Sequence, residues 1–129
     1  MKRTTEDYLK TIFLLQENQG EVRNILISEA LGVSKPTVTN TLKRLVREGF
    51  VITDADFSIH LTEAGTEIAE STLERNRTIR ELLVSLGVDE KTAEEDACEM
   101  EHSISAQSLA AIKMLAERRC LKTCMLAVK

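Results

Sequence analysis

Residues 24–49 read NILISEALGVSKPTVTNTLKRLVREG, and the architecture follows from this stretch outward. Ile25, Leu26, Ala30 and Leu31 mark a short helix that Gly32 stops. Ser34 caps a following helix whose apolar positions Val38, Leu42, Leu45 and Val46 carry it to Gly49. Two short helices one tight turn apart predict a helix-turn-helix. Upstream, Tyr8, Leu9, Ile12, Phe13 and Leu15 recur at helical spacing over residues 4–18, after the capping candidates Thr4 and Thr5 and before Gly20. Downstream, Phe50 to Thr53 and Ser58 to Leu61 are β-prone runs separated by Asp54-Ala55-Asp56-Phe57, which reads as a hairpin or wing. Helix, short helix, turn, helix and hairpin is the order of a winged helix-turn-helix, whose third helix enters the DNA major groove.

Beyond the hairpin the pattern is helical. Thr62 with Glu63 opens one long helix through Ala64, Ile68, Leu73, Ile79, Leu82, Leu83 and Leu86 to Gly87. Asp89 caps a fifth helix to about His102, and Ser105 a sixth carrying Leu109, Ile112, Met114 and Leu115. Five glycines and one proline among 129 residues disfavour a turn-rich all-β fold. The expectation is a mainly α chain: a winged helix-turn-helix over 1–71 and a helical domain over 72–129. No apolar run reaches the roughly 18 residues of a membrane span, and Met1-Lys2-Arg3-Thr4 leads into no signal-peptide stretch, so a cytoplasmic protein without membrane contact is expected. In a reducing cytosol, three cysteines suit a metal-ligand or free-thiol role better than a disulfide framework.

A net charge of −4 excludes a protein that coats nucleic acid through general basicity, so DNA contact requires a local patch. Between residues 35 and 48 such a patch exists: Lys35, Lys43, Arg44 and Arg47 against the single acid Glu48. Ser34, Thr37 and Asn40 at the start of the third helix are candidates to hydrogen-bond base edges, and Pro36 with Thr37 to touch thymine methyls. Ser34 serves equally as a plain helix cap, since capping leaves its hydroxyl proton free.

Cys98, Glu101 and His102 stand at i, i+3 and i+4 of the expected fifth helix, so thiolate, carboxylate and imidazole should share one face. With an oxygen donor from elsewhere the set suits a first-row divalent ion: Fe(II), Mn(II), Co(II), Ni(II) or Zn(II).

Four blocks then resemble the DtxR/MntR family of metal-dependent repressors: Thr4-Thr5-Glu6-Asp7-Tyr8-Leu9-Lys10-Thr11-Ile12, Leu31-Gly32-Val33-Ser34-Lys35-Pro36-Thr37-Val38-Thr39, Leu61-Thr62-Glu63-Ala64-Gly65 and Asp96-Ala97-Cys98-Glu99-Met100-Glu101-His102-Ser103-Ile104-Ser105. The resemblance covers residues 4 to about 116. It implies a homodimer that binds a double-stranded DNA operator and represses metal-uptake genes with Fe(II) or Mn(II) as corepressor. Cys98, Glu101 and His102 match the family's regulatory site, and Asp7 stands where helix one supplies a further ligand. Asp7 is typical of manganese-type members and Cys98 of iron-type members, while Lys10 replaces the second helix-one carboxylate of the manganese type. Asn76 stands where a ligand histidine is usual, and Arg80 where iron-type members carry a glutamate. An Arg80–Glu94 ion pair in place of a second metal is one expectation; the other leaves Arg80 reaching to solvent. The length matches two-domain members. Cys120 and Cys124, at i and i+4 of the tail, read first as part of a frayed or dimer-packing helix, and alternatively as a redox pair or metal clip.

On this reading a metal joining Asp7 to Cys98, Glu101 and His102 ties the DNA-binding half to the dimer half and fixes recognition-helix spacing. Half-sites one DNA turn apart, about 34 to 36 Å, then become reachable together. Without metal, Asp7 and Glu101 repel. One alternative keeps the winged helix but makes the metal site degenerate, with a response to thiol oxidation or none. A small zinc enzyme fits less well, because no phosphate loop or second catalytic cluster is found and aromatics to line a pocket are few.

Overall fold

The computed structural model describes residues 3–127, with side chains described as far as 118, so Cys120 and Cys124 lie outside the described side chains. Six helices and two strands follow in the order α1 (Arg3–Gln19), α2 (Asn24–Leu31), α3 (Lys35–Arg47), β1 (Val51–Thr53), β2 (Ile59–Leu61), α4 (Glu63–Ser85), α5 (Glu90–Met100) and α6 (Ala106–Ala127). The mainly α class and the helix-turn-helix and hairpin order are as the sequence predicts. The chain divides into two compact units, Met1–Ser71 and Thr72–Lys129.

In the first unit the apolar spacing of α1 buries Tyr8, Leu9 and Ile12 against Ile27 of α2, Val38, Leu42 and Leu45 of α3, and Val51 and Ile59 of the hairpin. This burial outweighs the weak propensity of the eight-residue α2, too short to stand alone. Gly32 ends α2 in the left-handed region, at φ 68°, and its N–H bonds the Ser28 carbonyl, a conformation that costs glycine nothing. Val46, one of the apolar positions along α3, is 42% exposed; it falls on the outer side of the helix.

The strands pair antiparallel with Val51 opposite Leu61 and Thr53 opposite Ile59, and Ile59 N–H also bonds the Val22 carbonyl, which anchors the hairpin to the α1–α2 connection. At the base of the hairpin, Thr62 N–H donates to Phe50 O (3.0 Å), its hydroxyl donates to Gly49 O (2.7 Å), and its Oγ1 accepts from Gly65 N–H (3.2 Å). One threonine thus caps α4 and closes the wing.

In the second unit Asp89 caps α5, accepting from Thr92 N–H at 3.0 Å and from the Thr92 hydroxyl at 2.8 Å, bonds that lower its carboxyl pKa. Ala93 and Ala97, one turn apart, are fully buried on one side of α5. Lys113 of α6 pairs with Glu74 of α4 at 2.5 Å. Ser105 caps α6 through Ser108 N–H.

Candidate DNA-binding face and metal centre

Ser34 adopts the extended N-cap conformation, φ −70° and ψ 154°, with Pro36 inside the first turn of α3, where its missing N–H removes nothing. Ser34 Oγ accepts from Thr37 N–H at 3.3 Å and lies 2.7 Å from the Thr37 hydroxyl. Asn24 Nδ2 donates to Thr39 Oγ1 at 3.1 Å, fixing α2 against α3. On this scaffold Ser34, Lys35, Pro36, Thr37, Asn40 and Lys43 are all exposed, opposite the buried Val38, Leu42 and Leu45. Arg47 is exposed too.

Arg44 departs from the expectation. It is half-buried and donates through Nη1 to Thr5 Oγ1 at 3.1 Å and to Glu48 Oε1 at 2.6 Å. The i, i+4 acid supplied a partner and Thr5 of α1 a second, so this guanidinium braces the helix from inside. Glu48 at that spacing was the available signal in the sequence.

The wing turn is a dense polar network. Asp54 Oδ1 accepts from Asp56 N–H (3.3 Å) and Ser58 N–H (3.0 Å), and Oδ2 lies 2.8 Å from His60 Nε2. Hydrogen bonding with Asp56 and then with His60 pulls the Asp54 carboxyl down to about 2. Arg23 donates to Glu21 and to the Asp56 carbonyl, each at 2.7 Å. Glu21 also accepts the Ser58 hydroxyl at 2.6 Å, which with Arg23 lowers its pKa.

In the second unit α5 ends at Met100, two residues earlier than expected. Glu101 is its C-cap, still helical at φ −58° and ψ −28° with its N–H on the Ala97 carbonyl, and His102 lies in the following turn. Glu101 is fully buried and His102 nearly so, with Nε2 3.2 Å from Glu101 Oε1. Cys98, half-buried, has its Sγ 3.5 Å from Asn76 Nδ2. Thus Asn76 contacts the candidate thiol. A carboxylate withdrawn from water is costly unless charge or hydrogen bonds offset it, and the adjoining imidazole gives an oxygen and nitrogen donor pair that fits a first-row divalent cation. Asp7 lies half-buried on α1 of the first unit, where its carboxylate is 3.9 Å from Arg3. Arg80 is half-buried and Glu94 exposed; among the described residues no ion pair joins them, so of the two expectations the internal pair is not formed. Glu94, on the outer side of α5, keeps its carboxylate in water instead.

No helix among the described residues is long and apolar enough to cross a membrane. The family profile described as "Iron dependent repressor, N-terminal DNA binding domain" matches residues 1–57, and "Iron dependent repressor, metal binding and dimerisation domain" matches residues 62–122. The chain is similar to an uncharacterized HTH-type transcriptional regulator of Methanocaldococcus jannaschii, 38% identical over 120 residues, which cover 92% of this chain and 96% of that protein. It is also similar to the transcriptional regulator MntR of Escherichia coli O157:H7, 34% identical over 113 residues, 88% of this chain and 73% of that one. Among solved structures, the manganese regulator SloR superposes with a TM-score of 0.79 at 30% identity over 91% of this chain. The chain spans about half of that structure, 55%.

Proposed function

The chain belongs to the DtxR/MntR family of iron-dependent repressors, and from that premise we propose that it is a cytoplasmic, homodimeric repressor of metal-uptake genes whose corepressor is Fe(II) or Mn(II), and not an enzyme. The observation that carries the metal half of this reading is the buried Glu101 carboxylate beside His102. We assign Asp7, Cys98, Glu101 and His102 as the ligand set, drawn from α1 and from the α5–α6 segment; Asp7 and Cys98 rest on the family resemblance. When bound, the ion supplies positive charge that offsets the two carboxylates.

The chain's own residues do the rest. Lys35 and Lys43 meet phosphates as exposed point charges, releasing counterions from the duplex. Ser34, Thr37 and Asn40 present short polar groups to base edges, and Pro36 with the Thr37 methyl offers apolar contact. Arg44 positions the helix. Leu86, Met100, Met114 and Leu115, each at least 41% exposed, provide apolar surface for the dimer.

Selection from randomised duplex DNA under anaerobic conditions, run in parallel with Mn(II), Fe(II) and chelator, tests the reading. A palindromic site that emerges only with metal is the expected result and identifies the stronger ion. A site that emerges equally in chelator removes the metal switch; no site at all overturns DNA binding.

A further inference from the structure

Three of the large apolar side chains that stand in water in the first unit gather in one place. Ile25 of α2 (40% exposed), Val46 of α3 (42%) and Phe57 of the wing turn (77%) all line a groove of about 770 Å³. Phe57 holds a positive φ of 67°, which a bulky residue rarely adopts, and bonds on either side of it keep the turn: Arg23 holds the Asp56 carbonyl, and Asp54 Oδ1 accepts the Ser58 N–H. Apolar surface collected in a concavity of this size is the usual lining of a small-molecule site.

Along the groove, the residues of α3 fall in two parallel rows. Lys35, Thr39, Lys43 and Arg47 succeed one another at i, i+4 in one row, and Leu42 and Val46 form the next. Among the described residues no carboxylate lines the groove, and Lys35, Lys43 and Arg47 have no acidic partner. An inorganic anion would satisfy the first row and leave the second in water; a hydrocarbon would do the reverse. The occupant that suits both is a small organic anion. Its apolar ring system or chain lies along Leu42, Val46 and Phe57, and its carboxylate, sulfonate or phosphate end meets the cations, where the planar Arg47 guanidinium offers paired donors.

We propose that this groove is an effector site for such an amphipathic organic anion, and that its occupation shuts the chain off DNA. The inference rests on the DNA-binding reading above, because Lys35 and Lys43 are shared: a ligand that covers them removes two phosphate contacts and stands between α3 and the duplex. None of the four candidate metal ligands lines the groove. Release from DNA then answers to a second chemical signal, separate from the corepressor ion.

The probe is anilinonaphthalenesulfonate, an apolar ring system with one anionic end that fluoresces when taken out of water. Its sulfonate-free parent, N-phenylnaphthylamine, and inorganic sulfate each carry one half of that chemistry. Both dyes are titrated into the full chain with Mn(II), and binding of a far-red-labelled selected operator is followed by anisotropy at constant ionic strength. The sulfonate dye should bind and should compete with the operator in both directions. The parent amine should bind about tenfold more weakly, the size of one charge-assisted contact, and sulfate should displace no operator. Phe57→Asn, which keeps a residue tolerant of positive φ, and Val46→Ser should each weaken the sulfonate dye about tenfold at unchanged melting temperature. Leu14→Ser, at a comparably exposed leucine of α1 outside the groove, should leave its affinity as in wild type. Equal dye affinity in wild type and both groove variants, or bound dye that the operator does not displace, would overturn the proposal. So would displacement of the operator by sulfate as complete as by the dye, since the groove would then act through charge alone. If wild type binds no duplex while the groove variants still lose the dye, the ligand site stands and the DNA reading falls.

Discussion

Gly65 is the third residue of α4, and its replacement by alanine inverts the usual expectation for a helix. A Cβ built there lies 2.1 Å from the Phe50 carbonyl oxygen, 3.1 Å from its carbon and 3.3 Å from Leu61 Cδ2. The obstacle is backbone, and that same oxygen accepts the Thr62 N–H at 3.0 Å. Accommodating the methyl requires α4 to draw back from the base of the wing by about 1 Å. Inside a helix Gly→Ala ordinarily stabilises by about 1 kcal/mol. Against it stand overpacking at about 1–3 kcal/mol, a strained Thr62–Phe50 bond at about 1 kcal/mol and a disturbed Thr62 cap at about 1 kcal/mol. The net expectation is a loss of about 3 kcal/mol, which in a domain of this size lowers Tm by more than about 10 °C. Thermal melts of Gly65→Ala and wild type, followed by circular dichroism with chelator present, measure it. A Tm equal to or above wild type would show that α4 and the wing separate freely, and the close-approach argument would be refuted.

Three further outcomes follow from the two candidate sites and the α4–α6 pair. His102→Ala should lower Mn(II) affinity at least about 100-fold, since even outer-shell partners of metal ligands cost 10–100-fold, with the dimer intact by light scattering; unchanged calorimetric affinity removes His102 from the site. Lys43→Ala should lessen the slope of log affinity against log salt by about 0.9, one phosphate contact, and an unaltered slope would place Lys43 away from DNA. Glu74, held below its ordinary carboxyl value of 4.5 by hydrogen bonding and charge from Lys113, favours the fold while ionised. Its contribution is complete above that value and fades as pH falls further through the depressed one. Glu74→Gln should flatten the acid limb of the stability profile, and an unchanged limb would mean that the pair contributes nothing measurable.

Local signals were legible in the sequence wherever one residue type has one physical use. Ser34, Asp89 and Ser105 before apolar runs gave true caps, and Gly32 gave a left-handed stop, because each acts within its own turn. Features that depend on a distant neighbour were hidden. Arg44 looks like Lys43 in a charge count, and only the approach of Thr5 from α1 turns it inward. Gly65 reads as a weak helix residue until Phe50 O is placed against it. The spacing of Cys98, Glu101 and His102 did not reveal the neighbours of each: Cys98 meets Asn76 of α4, and Glu101 meets His102 in the turn that follows α5. Arg80 and Glu94 were matched by family position and opposite charge, and neither says which side of a helix meets water.

The inward turn of Arg44 separates two jobs along a single helix. Its bond to Thr5, two positions before Asp7, joins α3 to α1, while positions 35, 36, 37, 40 and 43 on the outer side are exposed. On the proposed reading, operator preference can therefore be rewritten on that outer surface, by grafting or by drift, without disturbing the α1–α3 bond, provided that Arg44 and Thr5 travel together.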